Sequence, residues 1–227
     1  MDFHGFDRWI APLAEVFFPN RCVLCDRLLP DVSRDICPTC HTAASVFMHY
    51  PWKIEHVKQW TALWKYTADV RWSILRYKFW HRRSYATTFG RELGLKLKQK
   101  PMPVDIVTWV PISFLRRVER GYDQSQLIAQ EVGYQLGLES VRLLHKRRHN
   151  RKQSSIKGTR ARMRNVRDVY RAVNVDVLKG KRVLLIDDIV TTGATVGEAA
   201  RMLRDAGAKA VYVACIASAT DPHFRPQ

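Results

Sequence analysis

Between Lys181 and Ala217 the sequence passes from an apolar run to a helix-period pattern and back to an apolar run, and few folds accommodate that order. Lys181 to Ile186 reads as a buried strand. A Thr/Gly loop follows, then a helix whose Val196, Ala199, Ala200 and Leu203 fall at i, i+3, i+4 and i+7. Gly207 suits the helix C-terminus, and Ala210 to Ala217 reads as a second buried strand. A strand-helix-strand crossover of about 30 residues joins parallel neighbours, so an α/β domain with a parallel sheet is expected.

The remaining patterns fit that class. Trp60 to Tyr66 alternates like a strand, and Asp69 to Phe79 and Ser84 to Leu97 read as basic amphipathic helices. Asp105 to Val110 is a short buried-strand pattern, and Asp123 with Gln126 resembles a capping box opening a helix to about Leu136. Residues 145–168 are polar and basic, which predicts a loop followed by a short helix, then a strand at Val169 to Val173. Phe6, Trp9, Ile10, Leu13, Val16 and Phe17 have helical spacing ahead of Pro19. With 227 residues, 46% hydrophobic, the expectation is a main domain at 58–220 and a small N-terminal module at 1–45. The apolar stretch Trp9 to Phe18 is interrupted by Pro12 and Glu15 and falls short of the roughly 20 residues of a membrane span. A cytoplasmic protein with no membrane span is expected.

The N-terminal module is defined by Cys22-x2-Cys25-x11-Cys37-x2-Cys40. Two close pairs of thiols surrounded by turn-forming residues match a closed tetrahedral zinc site better than a disulfide framework. Four thiolates leave no position for a reactive water, so a structural Zn2+ is expected. His41 adjoins Cys40 as a substitute ligand, and Cys215 reads as core packing.

The formal net charge is +17. It is concentrated: residues 65–100 carry 10 Lys/Arg against 2 Asp/Glu, and residues 142–171 carry 12 against 1. Such blocks ask for an anionic partner, whether a phosphate, a pyrophosphate or a nucleic-acid backbone.

Val183 to Thr195 shows how an anion would be held. Apolar strand residues lead to Asp187 and Asp188, and then to Thr191-Thr192-Gly193-Ala194-Thr195 at a helix start. There, free backbone N–H groups and the helix dipole favour phosphate, and the threonine hydroxyls add donors. Carboxylates just ahead of such a cradle suit ribose hydroxyls, so the spacing describes a sugar phosphate. Neither a G-x-x-x-x-G-K-[ST] loop nor a G-x-G-x-x-G fingerprint is present.

The same stretch resembles the phosphoribosyl pyrophosphate signature of type I phosphoribosyltransferases. Together with the four cysteines, Tyr77-Lys78-Phe79, Val110-Pro111, Arg120-Gly121-Tyr122-Asp123-Gln124-Ser125, and Gln153 followed by Arg162 and Asn165, it resembles the ComF family of competence-associated proteins. The resemblance implies a type I phosphoribosyltransferase-like domain behind a small zinc-binding module. It implies that Thr191, Thr192, Gly193, Ala194 and Thr195 hold the 5-phosphate of phosphoribosyl pyrophosphate or a related sugar phosphate, with Asp187 and Asp188 on the ribose. The turn after Val110-Pro111, with Arg116, Arg117 and Arg120, then corresponds to the pyrophosphate side. The segment with Arg147, Arg148, Arg151 and Lys152 corresponds to a loop closing over pyrophosphate.

Two functions stay open on the sequence. One is a transferase, with Mg2+ and basic side chains neutralising the leaving pyrophosphate. The other is a non-catalytic module that binds single-stranded DNA during uptake, beside a competence helicase, with bases stacked on Trp72, Tyr77, Phe79, Trp80 and Tyr85 among Arg71, Arg76, Lys78, Arg82 and Arg83.

Overall fold

The computed structural model describes residues 20–31, 33–44, 53–147 and 168–219. In chain order they form α1 (Pro38–Ala43), β1 (Gln59–Lys65), α2 (Ala68–Phe79), α3 (Tyr85–Gln99), β2 (Ile106–Trp109), α4 (Phe114–Arg120) and α5 (Gln124–Leu136). Then come β3 (Leu144–Lys146), β4 (Tyr170–Ala172), α6 (Val175–Leu178), β5 (Arg182–Val190), α7 (Ala194–Asp205) and β6 (Ala210–Ser218). The helix expected over 6–18 lies outside the described residues. No helix of the described residues is long and apolar enough to cross a membrane.

The main sheet has the order β1-β6-β5-β2, with every neighbouring pair parallel. Side chains on β5 and β6 alternate between two cores, as the period of a strand requires. Leu184, Ile186, Tyr212 and Ala214 pack with Ile74 of α2, Phe89 and Leu93 of α3 and Ile128 of α5. Val183, Leu185, Val211 and Val213 pack on the other face with Val196, Ala199 and Leu203 of α7. Burial on both faces explains why these strands read as continuous apolar runs.

Cys22, Val23 and Leu24 belong to the first of these cores, together with Tyr77 and Phe89. The cysteine segment therefore packs on the main domain through shared apolar burial. Asp35 adds an ion pair to Arg91 of α3 at 2.9 Å.

Three local expectations are corrected. The strand expected to end at Ile186 runs on to Val190, because Asp187, Ile189 and Val190 stay in register with Cys215, Ala217 and Ser218 of β6. His145 and Lys146, placed in the loop expected over 145–168, lie in β3, whose ladder partners Tyr170 and Arg171 come more than twenty residues later. The stretch after Val110-Pro111 is the helix α4, stopped by Gly121 in the left-handed conformation at φ 78°. None of its residues is buried, and its apolar Phe114, Leu115 and Val118 are 77%, 62% and 67% exposed, so it has no core-facing stripe.

The contact between α3 and α5 tolerates no side chain at Gly90, where a Cβ would sit 2.4 Å from Glu131 Cβ and 3.1 Å from the Ile128 carbonyl oxygen. Gly90→Ala is expected to cost about 1–3 kcal/mol through overpacking despite the better helix propensity of alanine. Urea denaturation of the variant checks this.

Candidate functional site

The carboxyl ends of β1, β2 and β5 lie at one edge of the sheet, where open α/β sheets gather ligands. Tyr66 follows β1, Val110-Pro111-Ile112 follow β2, and Asp187, Asp188 and Ile189 come from the last residues of β5. These residues line one cavity of about 480 Å3, with Thr191 and Thr195 beside them. Four cations enter the same cavity: Lys78 from α2, Arg116 and Arg120 from α4, and Lys146 from β3.

The acidic pair is held in two ways. Asp187 is 8% exposed; its Oδ1 accepts from Ser125 Oγ at 3.2 Å and from the Asp188 N–H at 2.9 Å. Burial first, and the adjacent Asp188 charge second, push its carboxyl up. Asp188 makes an ion pair with Lys78 Nζ at 2.7 Å.

Asp123 braces the opposite wall. Its carboxylate accepts from the N–H of Ile112 at 3.1 Å and from the N–H of Gln126 at 3.3 Å, so one side chain caps α5 and ties down the turn after β2. Arg120 donates to Gln124 Oε1 at 2.9 Å and lies over the Phe79 ring at 5.0 Å. Arg120 Nε and Gln124 Nε2 are buried without a hydrogen-bond partner among the described residues. Buried donors of this kind are costly unless an acceptor reaches them.

Lys146 lies over the Tyr170 ring at 5.4 Å. Burial first and Arg116 second pull its ammonium down to about 8. Because that value lies below the ordinary lysine value of about 10.4, the unfolded chain holds more protons between the two, and the stability contributed by this group rises with pH across that window. At pH 7 a buried cation of this kind destabilises the fold. Lys146→Met is expected to stabilise the protein by about 1–3 kcal/mol at pH 7, the gain shrinking toward pH 10. Thermal denaturation at pH 7 and pH 9.5 checks the sign.

The phosphate-type loop has the expected turn. Gly193 takes the left-handed conformation at φ 75° immediately ahead of α7. Thr192 Oγ1 accepts from the Ala194 N–H at 3.4 Å, so that hydroxyl serves the helix start itself. Thr191 and Thr195 line the cavity, whereas Thr192, Gly193 and Ala194 are not part of its lining.

Of the basic residues expected from the sequence, Arg116 and Arg120 line the cavity, while Arg117 and Arg147 are exposed and do not. Arg148, Arg151 and Lys152 lie outside the described residues. Lys78, Lys146, Ser125 and Tyr170 also line the cavity; in the sequence Lys78 stands only in a family motif and among the cations of the DNA reading, Ser125 stands only in a family motif, and Lys146 and Tyr170 have no site role.

The four N-terminal cysteines meet as their spacing implied, with all four Sγ atoms within 4.8 Å of one another. The Cys37 N–H points at Cys22 Sγ at 3.3 Å and the Cys40 N–H at Cys37 Sγ at 3.4 Å. The Cys40 backbone N–H holds the Cys37 thiol down to about 7, while burial pushes Cys25 and Cys40 up. Four convergent thiols with N–H groups aimed at two of them can hold a metal ion. His41 is exposed. Cys215 is fully buried in β6, as expected of a packing residue.

A family model for the phosphoribosyl transferase domain matches residues 110–226. The chain belongs to the phosphoribosyl transferase domain family. Within it, the ComF resemblance holds over most of the length. Competence protein F of Haemophilus influenzae is 25% identical over 222 residues, covering 87% of this chain and 96% of that protein. Competence protein ComFC of Streptococcus pneumoniae is 28% identical over 204 residues and covers 84% of each chain. DNA utilization protein YhgH of Escherichia coli K12 is 28% identical over 206 residues, covering 86% and 88%. Among solved structures, the allosteric regulatory enzyme of purine biosynthesis shares 30% identity over 57% of this chain at a TM-score of 0.39, and the match spans a quarter (25%) of that enzyme's length. The purine phosphoribosyltransferase of Pyrococcus horikoshii shares 21% identity at a TM-score of 0.35, covering 63% of this chain and 79% of that one.

Proposed function

We propose that the cavity at the carboxyl edge of the sheet binds phosphoribosyl pyrophosphate or a related ribose 5-phosphate ligand, and that the chain serves DNA uptake or utilisation. The observation that carries this reading is one cavity beside the start of α7 that gathers four cations, the buried Asp187 and the partly buried Asp188. In it, Thr191, Thr195 and the first N–H groups of α7 take the 5-phosphate, with Thr192, Gly193 and Ala194 shaping the loop. Asp187 and Asp188 accept from the ribose hydroxyls. Arg116, Arg120 and Lys146 face the pyrophosphate, for which Mg2+ would supply further charge neutralisation. In a transfer reaction these cations stabilise the leaving pyrophosphate while the carboxylates orient the ribose. The names of the relatives support the DNA-related role, and the cysteine set fits a structural Zn2+ that orders residues 20–42, within the expected division into a module at 1–45 and a domain at 58–220.

A thermal-shift titration tests ligand class. Phosphoribosyl pyrophosphate with Mg2+ and ribose 5-phosphate are expected to raise the melting temperature in a saturable way, while ribose alone does not. No shift with either phosphate would remove the reading.

A second reading rests on exposed aromatics. Trp72, Phe79 and Trp80 are 49%, 44% and 60% exposed, with Arg71 over the Trp72 ring at 5.4 Å. Tyr77 and Tyr85, expected to share that role, are instead buried in the core. Three aromatics beside Arg71, Arg82 and Arg83 suit single-stranded DNA, with a helicase-type protein as its companion. Binding of an oligonucleotide through this surface is expected to weaken by about tenfold or more between 50 and 200 mM salt, following the number of phosphates neutralised. A salt-independent affinity would discard this reading.

A further inference from the structure

Three consecutive residues of α2 tie together three parts of the molecule. The Arg76 guanidinium donates to the carbonyl oxygens of Val23 at 3.1 Å and Leu24 at 2.5 Å, inside the first cysteine pair. Tyr77 donates through its hydroxyl to the Gln124 carbonyl oxygen at the start of α5, at 2.9 Å. Lys78 makes the 2.7 Å ion pair with Asp188 in the cavity. Residues two apart on a helix project about 200° from each other. Arg76 and Lys78 therefore grip opposite sides of one rigid element.

Val70, Ile74 and Tyr77, at i, i+4 and i+7 and no more than 1% exposed, choose the face of α2 that meets the core, with Trp72 and Phe79 on the far side at 49% and 44% exposure. Directional bonds then fix how that helix is held against its neighbours. Toward the cysteine segment these are the Arg76 bonds and a bond from Ser73 Oγ to the Val23 oxygen at 2.5 Å. Both Arg76 and Ser73 are buried, at 7% and 0% exposure. Their acceptors are backbone carbonyls of the very turn that Cys22 and Cys25 close. A metal on the four thiolates fixes that turn, and so fixes where the carbonyls point.

We infer that the cysteine-held metal sets the position of Lys78 in the anion-lined cavity through Arg76 and α2, so that metal occupancy and ligand affinity are thermodynamically coupled. Arg76 is a positioning residue in this account: it touches neither the cavity nor a ligand. The inference rests on the proposed sugar-phosphate reading for the identity of the ligand. The coupling is reciprocal, since a ligand that strengthens its site when the metal is bound must strengthen metal binding by the same factor.

The test uses the full-length, metal-loaded protein and ribose 5-phosphate as probe. Arg76→Met keeps the apolar stem and removes the two carbonyl contacts; it is expected to weaken ribose 5-phosphate binding about tenfold. In a Lys78→Met background the same substitution is expected to change affinity less than about twofold, because the residue through which it acts is gone. A general loss of folding would not distinguish the two backgrounds. A second measurement needs no variant: saturating ribose 5-phosphate is expected to reduce transfer of the metal to a chromogenic chelator about tenfold at equilibrium. An Arg76→Met effect of equal size in both backgrounds, or unchanged metal transfer in the presence of bound ligand, overturns the coupling. Ribose 5-phosphate that binds wild-type and Arg76→Met protein equally well overturns the coupling alone. Ribose 5-phosphate and phosphoribosyl pyrophosphate that both fail to bind the wild-type protein overturn the ligand reading and this inference with it.

Discussion

Protein freed of the metal that the four thiols are proposed to hold, or carrying Cys22→Ser together with Cys25→Ser, is expected to lose its cooperative thermal transition or to melt at a much lower temperature. Metal binding to such thiolate sites contributes on the order of 10 kcal/mol or more of folding free energy, comparable with the roughly 5–15 kcal/mol that keeps a whole domain folded. The loss would stay local if the cysteine segment were an appendage. It is not one, because Cys22, Val23 and Leu24 lie in the same buried cluster as Tyr77 of α2 and Phe89 of α3. Releasing the turn exposes that cluster and leaves the Arg76 guanidinium, 7% exposed, without its carbonyl acceptors. Calorimetric melting with and without a strong chelator checks this, alongside metal content measured on protein purified without chelator. An unchanged melting temperature after complete metal removal, or no stoichiometric metal in the purified protein, would contradict it.

Asp187→Asn combined with Asp188→Asn is expected to weaken phosphoribosyl pyrophosphate binding by about a hundredfold or more. Each substitution keeps side-chain size and removes a carboxyl acceptor; measured at a pH above the raised value of Asp187 both carboxyls carry charge, and a charge-assisted hydrogen bond contributes about 1.5–3 kcal/mol. Two such losses, about 3–6 kcal/mol together, exceed the roughly 2.7 kcal/mol that a hundredfold change requires. The double variant also loses the 2.7 Å ion pair between Asp188 and Lys78, whose two side chains are each 16% exposed. A modest drop in melting temperature should accompany the binding defect. Lys78→Met serves as a comparison: it removes the same ion pair while leaving both carboxylates, and is expected to lose less affinity than the double variant.

What the sequence disclosed follows from how local each feature is. The parallel α/β class, Asp187 and Asp188, the threonine-glycine loop and the four cysteines are written in contiguous or closely spaced residues, and the structure brings each group together. Lys78, Arg116, Arg120 and Lys146 come from three elements spread over nearly seventy positions, in a chain with 38 basic residues. Arg116 and Arg120 are reached through the family resemblance, Lys78 stands only in a family motif and among the cations of the DNA reading, and Lys146 has no role, because nothing local separates a cation that will meet a carboxylate from one that will face water. Only the sheet order brings those elements to one edge. Strand β3 was hidden for a related reason: three residues inside a basic block become a strand because Tyr170, Arg171 and Ala172 supply the ladder. Arg76 looks like one more member of the same basic run, and its burial against the cysteine segment depends on a packing between residues about fifty positions apart. The extension of β5 to Val190 was masked by chemistry, since a pair of carboxylates reads as the end of an apolar strand, whereas here they ride on its last residues in register with β6.

The central claim is that the cation-lined cavity beside Asp187 and Asp188 is a sugar-phosphate site, and isothermal titration of the metal-loaded protein with phosphoribosyl pyrophosphate and Mg2+, beside the Asp187→Asn/Asp188→Asn variant, tests it most directly. Saturable binding near one ligand per chain by the wild-type protein, lost in a variant that still melts cooperatively, is the predicted result. Absence of binding by the wild-type protein, or equal affinity in the folded variant, would contradict it.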